Sequence, residues 1–238
     1  MSVFIEGEKI DLCVPECEDI PEWVRWVNDP SVTRHLDLGM FPQTETMQKD
    51  FVFGALRAKD RVLLTIKSKE KKLLGTISLS DINFDKRECQ IALLVPNKDE
   101  TAPFAAVEAM ALMVTHAFER LGVTRVFAGQ AYPELKSWNE VIEVIGFFPE
   151  GIVSNGFKHG NHVSNAIKIA IYKDEYDKIK KQRAGTIWPG SDQIGAMVEG
   201  VRRDPSHAKV LLAISTIRLN ALQHLLGSTL DSSAQNDM

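Results

Sequence analysis

Apolar and polar residues alternate along four stretches in the first half of the chain, which is the pattern of half-buried strands. The first stretch covers residues 9–14, and three more cover 61–68, 73–82 and 88–95. The last three are separated only by the short polar segments KEKK and NFDKR. The sequence therefore predicts one strand followed, later in the chain, by an antiparallel three-stranded meander.

Between the first strand and the meander, the spacing of apolar residues is helical. Residues 19–30 are predicted as a short helix, with Asp19 as its cap and Pro30 as its stop. A second helix is predicted over residues 44–59, with Thr44 as its cap.

A long helix is predicted after the meander, over about residues 104–121, and Gly122 follows in the usual C-terminal place. Its apolar residues form one stripe, which consists of Val107, Met110, Ala111, Val114 and Phe118.

A strand, a helix and a hairpin follow the long helix. The strand covers residues 124–131, the helix covers 135–146, and the hairpin strands cover 146–157 and 162–173 around the turn KHGN. The predicted order is β-α-α-β-β-β-α-β-α-β-β. This order predicts an α/β (α+β) fold with a mixed central sheet and flanking helices.

The composition changes near residue 180, and we predict a domain over residues 1–180 with a C-terminal extension over 181–238. The extension comprises a linker, two helical patterns and a polar tail that is predicted to be disordered. The second helical pattern, over residues 207–227, has an apolar stripe that needs a partner. It either packs on its own domain or forms a homodimer contact. A nucleic-acid contact through nearby basic residues is the third alternative.

The composition is that of a globular protein with its own core. The chain has 238 residues, of which 44% are hydrophobic and 25% charged, and its formal net charge is −4. This balance argues against non-specific nucleic-acid binding. A signal segment and an apolar run long enough to span a membrane are both missing, so we expect a cytoplasmic protein without a membrane partner. Cys13 and Cys17 lack the second Cys/His pair of a metal site.

Four segments together resemble the GNAT superfamily of acyl-CoA N-acyltransferases, in the branch with ribosomal-protein alanine, spermidine and amino-sugar acetyltransferases. They are WVRWVNDPSVTRHL, LLGTISLSDINFDKRECQIALLV, EAMALMVTHAFERLGVTRVFA and PELKSWNEVIEVIGFFPEG. They occur in the family's order at nearly the family's spacing, and the resemblance covers about residues 7–176. It implies a GNAT-like sheet, an acyl-CoA such as acetyl-CoA as co-substrate, and no metal.

The resemblance also implies where CoA binds. In the family, the strand that matches QIALLV splays from its neighbour and pairs with the pantetheine arm, here through the backbone of Leu93, Leu94 and Val95. The N–H of Leu93 or Leu94 would polarise the thioester. The following turn would hold the pyrophosphate with N–H groups at the positive end of the helix dipole. The implied CoA contacts there are Thr101, Ala102, Phe104, Ala105 and Ala106, with Ser137 from a later helix.

This turn departs from the family's pattern Q/R-x-x-G-x-G/A. Phe104 stands at the first glycine position, Thr101 stands at the basic or amide position, and Pro103 has no N–H to donate. In the later helix, Leu135 and Trp138 stand where the pattern has asparagine and serine. The sequence therefore raises the question of whether this turn still binds a phosphate.

Acyl transfer to an amine needs a base for the amine proton and a proton donor for the leaving thiolate. The candidate bases are Asp81, after the strand TISLS, and His35, in the turn where the family's substrates usually enter. Each has a structural alternative, because Asp81 also suits a turn cap and His35 would also cover the sheet. Ile142 stands at the position of the family's usual tyrosine donor, so Ser137 and Tyr132 are the candidate donors.

These features predict an N-acyltransferase that moves an acyl group from acyl-CoA to a primary amine of a small molecule. Family analogy favours an amino sugar on a nucleotide carrier, with a protein N-terminal amine as the alternative acceptor. Two other classes stay open: a non-catalytic GNAT-like binding module, and an acyltransferase with a non-CoA acyl donor. His159 and His162, in the hairpin turn, would lie over the acceptor pocket or would simply be exposed.

Overall fold

A computed structural model describes residues 2–36, 39–96 and 102–205, together with residues 209, 212, 213, 215–217 and 220. Its strands are β1 (Val3–Glu6), β2 (Ile10–Cys13), β3 (Val62–Ser68), β4 (Leu73–Asn83), β5 (Glu88–Leu94), β6 (Arg125–Tyr132), β7 (Phe148–His159) and β8 (His162–Tyr172). They form an eight-stranded sheet in the order β1-β2-β3-β4-β5-β6-β8-β7. Only β5 and β6 pair in parallel; the other described neighbours are antiparallel.

Helices cover both faces of this sheet. They are α1 (Ile20–Asn28), α2 (Pro30–Thr33), α3 (Glu45–Arg57), α4 (Ala102–Glu119), α5 (Lys136–Glu143), α6 (Lys173–Gln182) and α7 (Ser191–Arg203). Successive residues of β3 show the division, because neighbours in a strand point to opposite faces. Leu63 packs in a cluster with α1 and α3, whereas Leu64 belongs to the larger core around α4. The predicted mixed sheet with flanking helices is confirmed.

Several local predictions are confirmed with it. The meander consists of β3, β4 and β5, paired in that order. Thr44 caps α3, since its hydroxyl accepts a hydrogen bond from the Met47 N–H at 3.3 Å. The five residues predicted as the apolar stripe of α4 are all buried, but burial is not limited to one stripe, because Ala109, Met113 and Ala117 are buried as well.

The prediction for Asp19 is wrong. Its side chain does not cap α1; it accepts the Glu16 N–H at 3.0 Å and pairs with the buried Lys67 ammonium at 2.8 Å. The lysine lies on β3 and is only 6% exposed, so this ion pair fixes the beginning of α1 to the sheet. A buried charge needs such a partner, which explains why the carboxylate is not free to cap the helix.

Three further elements differ from the sequence prediction. Pro30 does not simply end α1; it is the first residue of α2, and the Asp29 side chain accepts the Ser31 N–H at 2.8 Å. Neither β1 nor α6 was predicted. The strand β1 has only four residues, and α6 lies where we expected the domain to end.

The turn between β1 and β2 connects the sheet to both α4 and α7. The buried Glu108 carboxylate of α4 accepts backbone N–H groups from this turn, including that of Lys9 at 3.1 Å. The Glu8 carboxylate accepts the Trp188 indole N–H at 2.8 Å and the Ser191 N–H at 3.2 Å, and it also bonds the Ser191 hydroxyl. Glu8 therefore lies at the N-terminus of α7, where a negative charge is favourable.

The C-terminal extension packs on the domain through α7. Ile194 and Val198 are buried in the same core as α4, and Ile187 before them is fully buried. Most of the second predicted helix, 207–227, lies outside the described residues. The homodimer contact therefore stays a prediction, as does the boundary near residue 180.

The described part of the chain contains no helix that is both long and apolar enough to cross a membrane. Cys13, Cys17 and Cys89 are free thiols. No group of three metal-ligating side chains occurs among the described residues.

We predict that Glu8→Ala lowers the free energy of unfolding by about 1–2 kcal/mol, because it leaves the Trp188 and Ser191 donors without their partner. Hydrogen bonding to Ser191 lowers the pKa of Glu8. The contribution is therefore present above the ordinary carboxyl pKa and is lost as pH falls through the lowered value. Urea unfolding at neutral and acidic pH measures both effects.

The control is Glu6→Ala, two residues earlier and exposed on β1. Equal unfolding free energies for the two variants would contradict the role of Glu8. Glu8→Gln keeps an acceptor oxygen but no charge, so its loss is expected to be smaller.

Candidate active site

The parallel pair of strands opens into a gap. The strands β5 and β6 pair only over Glu88–Gln90 and Arg125–Phe127, and beyond these three pairs the described strands form no ladder with each other. Each keeps its outer partner: β4 follows β5 as far as Leu94, and β8 follows β6 as far as Tyr132. Backbone groups on the facing edges are therefore open to a ligand with its own amide groups.

An ion pair closes the narrow end of this gap. The Arg125 guanidinium on β6 bonds the Glu88 carboxylate on β5 at 2.7 Å. Its Nε donates to Glu150 at 3.0 Å, and the guanidinium lies 4.5 Å from the centroid of the Phe127 ring. The strands are thus held together at one end and separate toward Leu94 and Tyr132.

A cavity of about 320 Å³ lies on the α1/α3 face of the sheet, at the open end of the gap. Leu63, Ser78 and Ala92 form a row across three strands of its floor, since they are direct cross-strand partners. Thr76 and Leu94 form part of the next row. The walls come from the helices and the loop before α3, through Trp23, Val27, Leu36, Gly39, Gln43, Gln48 and Phe51, and Leu93 completes the lining. We call this the acceptor cavity.

Asn28 positions the loop that forms one wall of the acceptor cavity. Its side-chain amide donates to the Gln43 carbonyl and its side-chain oxygen accepts the Gln43 N–H, both at 2.8 Å. The Gln48 side chain then donates to the Gln43 side chain at 3.1 Å. The loop and α3 therefore present two neutral amides to the cavity.

One buried donor at this cavity has no partner. Trp23 is only 3% exposed, and its indole N–H has no hydrogen-bond partner among the described residues. Leaving such a donor unpaired costs about 1–3 kcal/mol. Buried unpaired groups of this kind are a reason to look for a ligand.

Histidines from separate parts of the chain meet beside the loop. The His159 ring contacts the Leu36 carbonyl through Nδ1 at 3.2 Å, and His162 contacts the Glu134 carboxylate at 2.9 Å. His35 is next to Leu36, and its buried Nδ1 has no partner among the described residues. Burial, and after it the charge of Arg34, lowers the pKa of His35, so the neutral ring is favoured.

The structure brings some of the predicted site residues together. Leu93 and Leu94 line the acceptor cavity and lie on the open edge of β5. Val95 follows them and packs against the main core. Tyr132 ends β6 at the open end of the gap, and Ser137 is exposed in the first turn of α5.

Asp81 lies elsewhere. It is exposed on β4 at an irregularity in the pairing with β5, and its φ of 50° is in the left-handed region. Ser78, the nearest cavity-floor residue on β4, is three residues away, which is about 10 Å along a strand. Asp81 is therefore outside the described lining of the cavity.

The expected phosphate turn is described only from the beginning of α4. Thr101 lies outside the described residues, and Ala102 is the first residue of the helix. Phe104 is 37% exposed, so its ring does not fill the protein interior, whereas Ala105 and Ala106 are buried. Because only the first N–H groups of a helix are unpaired, free donors are limited to its first turn, and Pro103 supplies none.

Sequence reasoning missed most of the cavity lining. Thr76 and Ser78 alternate with the buried Ile77 and Leu79, so the strand pattern already indicated a polar face on β4. The contributions of Trp23, Gln43 and Gln48 depend on how α1 and α3 pack on the sheet. No local pattern indicates that packing.

Comparison with known proteins agrees with this architecture. A family model for the acetyltransferase (GNAT) domain matches residues 11–147. A search of curated proteins finds no match. Similar solved structures include RimJ from Mycobacterium smegmatis in complex with CoA-disulfide, at 15% identity and a TM-score of 0.63, covering 75% of this chain and 91% of that one.

Two other solved structures are similar. The spermidine N-acetyltransferase from Vibrio cholerae in complex with CoA and spermine has 14% identity and a TM-score of 0.61, covering 71% of this chain and 98% of that one. A GNAT-family acetyltransferase from Bacillus anthracis has 22% identity and a TM-score of 0.60, with the same coverage. At these identities the likeness concerns the fold. Because the family model spans more than half of the 238 residues, the chain belongs to the GNAT family of acetyltransferases, and its predicted class, an acyl-CoA-dependent N-acetyltransferase, is confirmed with it.

Proposed function

We propose that this protein transfers an acyl group from acyl-CoA to the primary amine of a small molecule, with the pantetheine arm in the β5–β6 gap and the amine in the acceptor cavity. One observation carries the proposal: the gap and the cavity meet at Leu93 and Leu94. A thioester in the gap would thus lie beside an amine in the cavity, and such proximity is a large part of catalysis.

The chain's own groups assist the reaction at this meeting point. A new bond forms between the amine nitrogen and the acyl carbon, and the bond between that carbon and the CoA sulfur breaks. The N–H of Leu93 or Leu94 donates to the acyl oxygen as negative charge develops there. CoA supplies the activated acyl group as a thioester, and the amine loses one proton as the thiolate gains one.

His35 is the group that we assign to accept the amine proton. It precedes the cavity residue Leu36, and its lowered pKa favours the neutral ring, which can accept a proton. Tyr132 and Ser137, at the open end of the gap and the start of α5, are the proposed donors to the thiolate. Asp81 receives no role in this mechanism because it lies outside the described cavity lining, toward the closed end of the gap.

The first turn of α4 is the proposed diphosphate site. Its unpaired N–H groups and the helix dipole favour an anion. The non-catalytic module would bind no CoA. An enzyme with a non-CoA acyl donor would bind pantetheine as well as it binds CoA.

The acceptor is restricted by the cavity. Its volume of about 320 Å³ is near the lower end of the range of about 300–1,000 Å³ that is usual for small-molecule sites. A nucleotide-linked amino sugar, which family analogy favours, would place only its sugar there. The three free thiols support the proposed cytoplasmic location, because such thiols persist in reducing compartments.

We predict that Phe104→Glu weakens CoA binding about tenfold, because a carboxylate would repel the diphosphate. The same carboxylate is favourable for the helix N-terminus, so stability should not fall. Calorimetry with CoA and with pantetheine is the measurement, and pantetheine binding should not change. Phe104→Ala is the matched control, and we expect its CoA affinity to stay within about threefold of that of the natural protein. Equal CoA affinities for the two variants would refute the diphosphate site.

We predict that His35→Gln lowers kcat about a hundredfold, the usual scale of a lost general base. In the natural protein the neutral ring is the active form, so kcat falls as pH drops through the lowered pKa, below the ordinary value of 6.5. This acid limb should disappear in the variant. Steady-state kinetics between pH 5 and 8 measure it (a range about the ordinary histidine pKa).

His116→Gln is the control. Burial lowers the pKa of His116 too, but this histidine lies in α4 with its ring against Phe4. An acid limb that vanishes in the control, or persists in His35→Gln, would assign the proton acceptor to another group.

A further inference from the structure

The described part of the acceptor cavity's lining is uncharged. Its described residues are eight apolar side chains, one glycine, two amides and two hydroxyls, and none carries a formal charge. The helices around it do contain charged residues, but Glu22 bonds Arg25, and Lys67 pairs with Asp19 beneath α1. The neutrality therefore belongs to the cavity and not to the region as a whole.

An uncharged, apolar cavity selects among amines. A polyamine would retain further ammonium groups, which need carboxylate partners when they leave water. A nucleotide diphosphate would need cationic partners. An amine with a single titratable group needs neither carboxylate nor cationic partners, because it can enter the cavity as the neutral base.

We propose that the acceptor is a small monoamine on an uncharged, largely apolar body, aliphatic or aromatic, that fits a cavity of about 320 Å³. This inference rests on the proposed function, since it concerns the substrate of the same site. Burial of the amine lowers its pKa and so favours the neutral, nucleophilic form. The hydroxyls of Thr76 and Ser78 and the side-chain amides of Gln43 and Gln48 are the polar groups of the described lining that are available to orient the body.

Phenethylamine, spermidine and glucosamine form the test panel, with acetyl-CoA as donor and release of the CoA thiol as the readout. We expect kcat/KM for phenethylamine to exceed that for each of the other two by at least about tenfold. A higher kcat/KM for spermidine or glucosamine overturns the inference, and so does acetyl-CoA binding without any detectable binding of phenethylamine. If acetyl-CoA itself does not bind, the proposed function has failed, and this result is distinguishable from failure of the inference alone.

Ala92→Glu tests the charge argument directly. Ala92 is exposed at the cavity floor, so a longer side chain is accommodated without repacking the core. The new carboxylate should lower kcat/KM for phenethylamine about tenfold and raise it for spermidine. Unchanged ratios would show that the lining does not decide between the amines.

Two control variants complete the design. Phe84→Glu adds the same charge on the exposed turn between β4 and β5, at the closed end of the gap, and should leave all ratios unchanged. Asp37→Asn is included because residue 37 lies outside the described residues, next to the cavity residue Leu36. The order of the three amines should persist in this variant, and a reversal would overturn the inference.

Discussion

The parallel pairing of β5 with β6 ends after three residue pairs, and the geometry of the site follows from that ending. Both strands continue, because each has an antiparallel partner on its outer side. Arg125 and Glu88 hold the closed end, so the two strands separate in only one direction. The free edges of β5 then face the gap on one side, while residues of the same strand form part of the cavity floor. The gap and the cavity therefore meet at one strand, β5, and neither lies across the sheet from this strand.

Formal charges are arranged around this site and not within its described lining. Lys67 pairs with Asp19 below α1, and Arg125 bonds Glu88 and Glu150 at the far end of the gap. The described lining consists of neutral groups, and the imidazole of His35, next to the lining residue Leu36, has a pKa that burial lowers. Such groups can stabilise developing charge without attracting a permanent counter-ion, which is consistent with a reaction that begins from a neutral amine.

The turn between β1 and β2 connects the C-terminal extension to α4. Glu108, in α4, accepts N–H groups from the β1–β2 turn, and Glu8, in that turn, bonds Trp188 and Ser191 of the extension. The family model ends at residue 147, yet Ile194 belongs to the same core as α4. The extension thus contributes to the core against which α4 packs, on the face of the sheet opposite to the cavity.

The sequence by itself determined the elements whose signals are local: the meander, the Thr44 cap and the α4 stripe depend on residues within a few positions of one another. Local signals misassigned Asp19, because a buried lysine from a distant strand competes for its carboxylate. Only the tertiary structure decided the site. Strand register places Ser78 beside Ala92, and helix packing brings Trp23 over them. Strand register also leaves Asp81 near the C-terminal end of β4, outside the described cavity lining. These relations join residues far apart in the chain, and their energies depend on burial that exists only after folding.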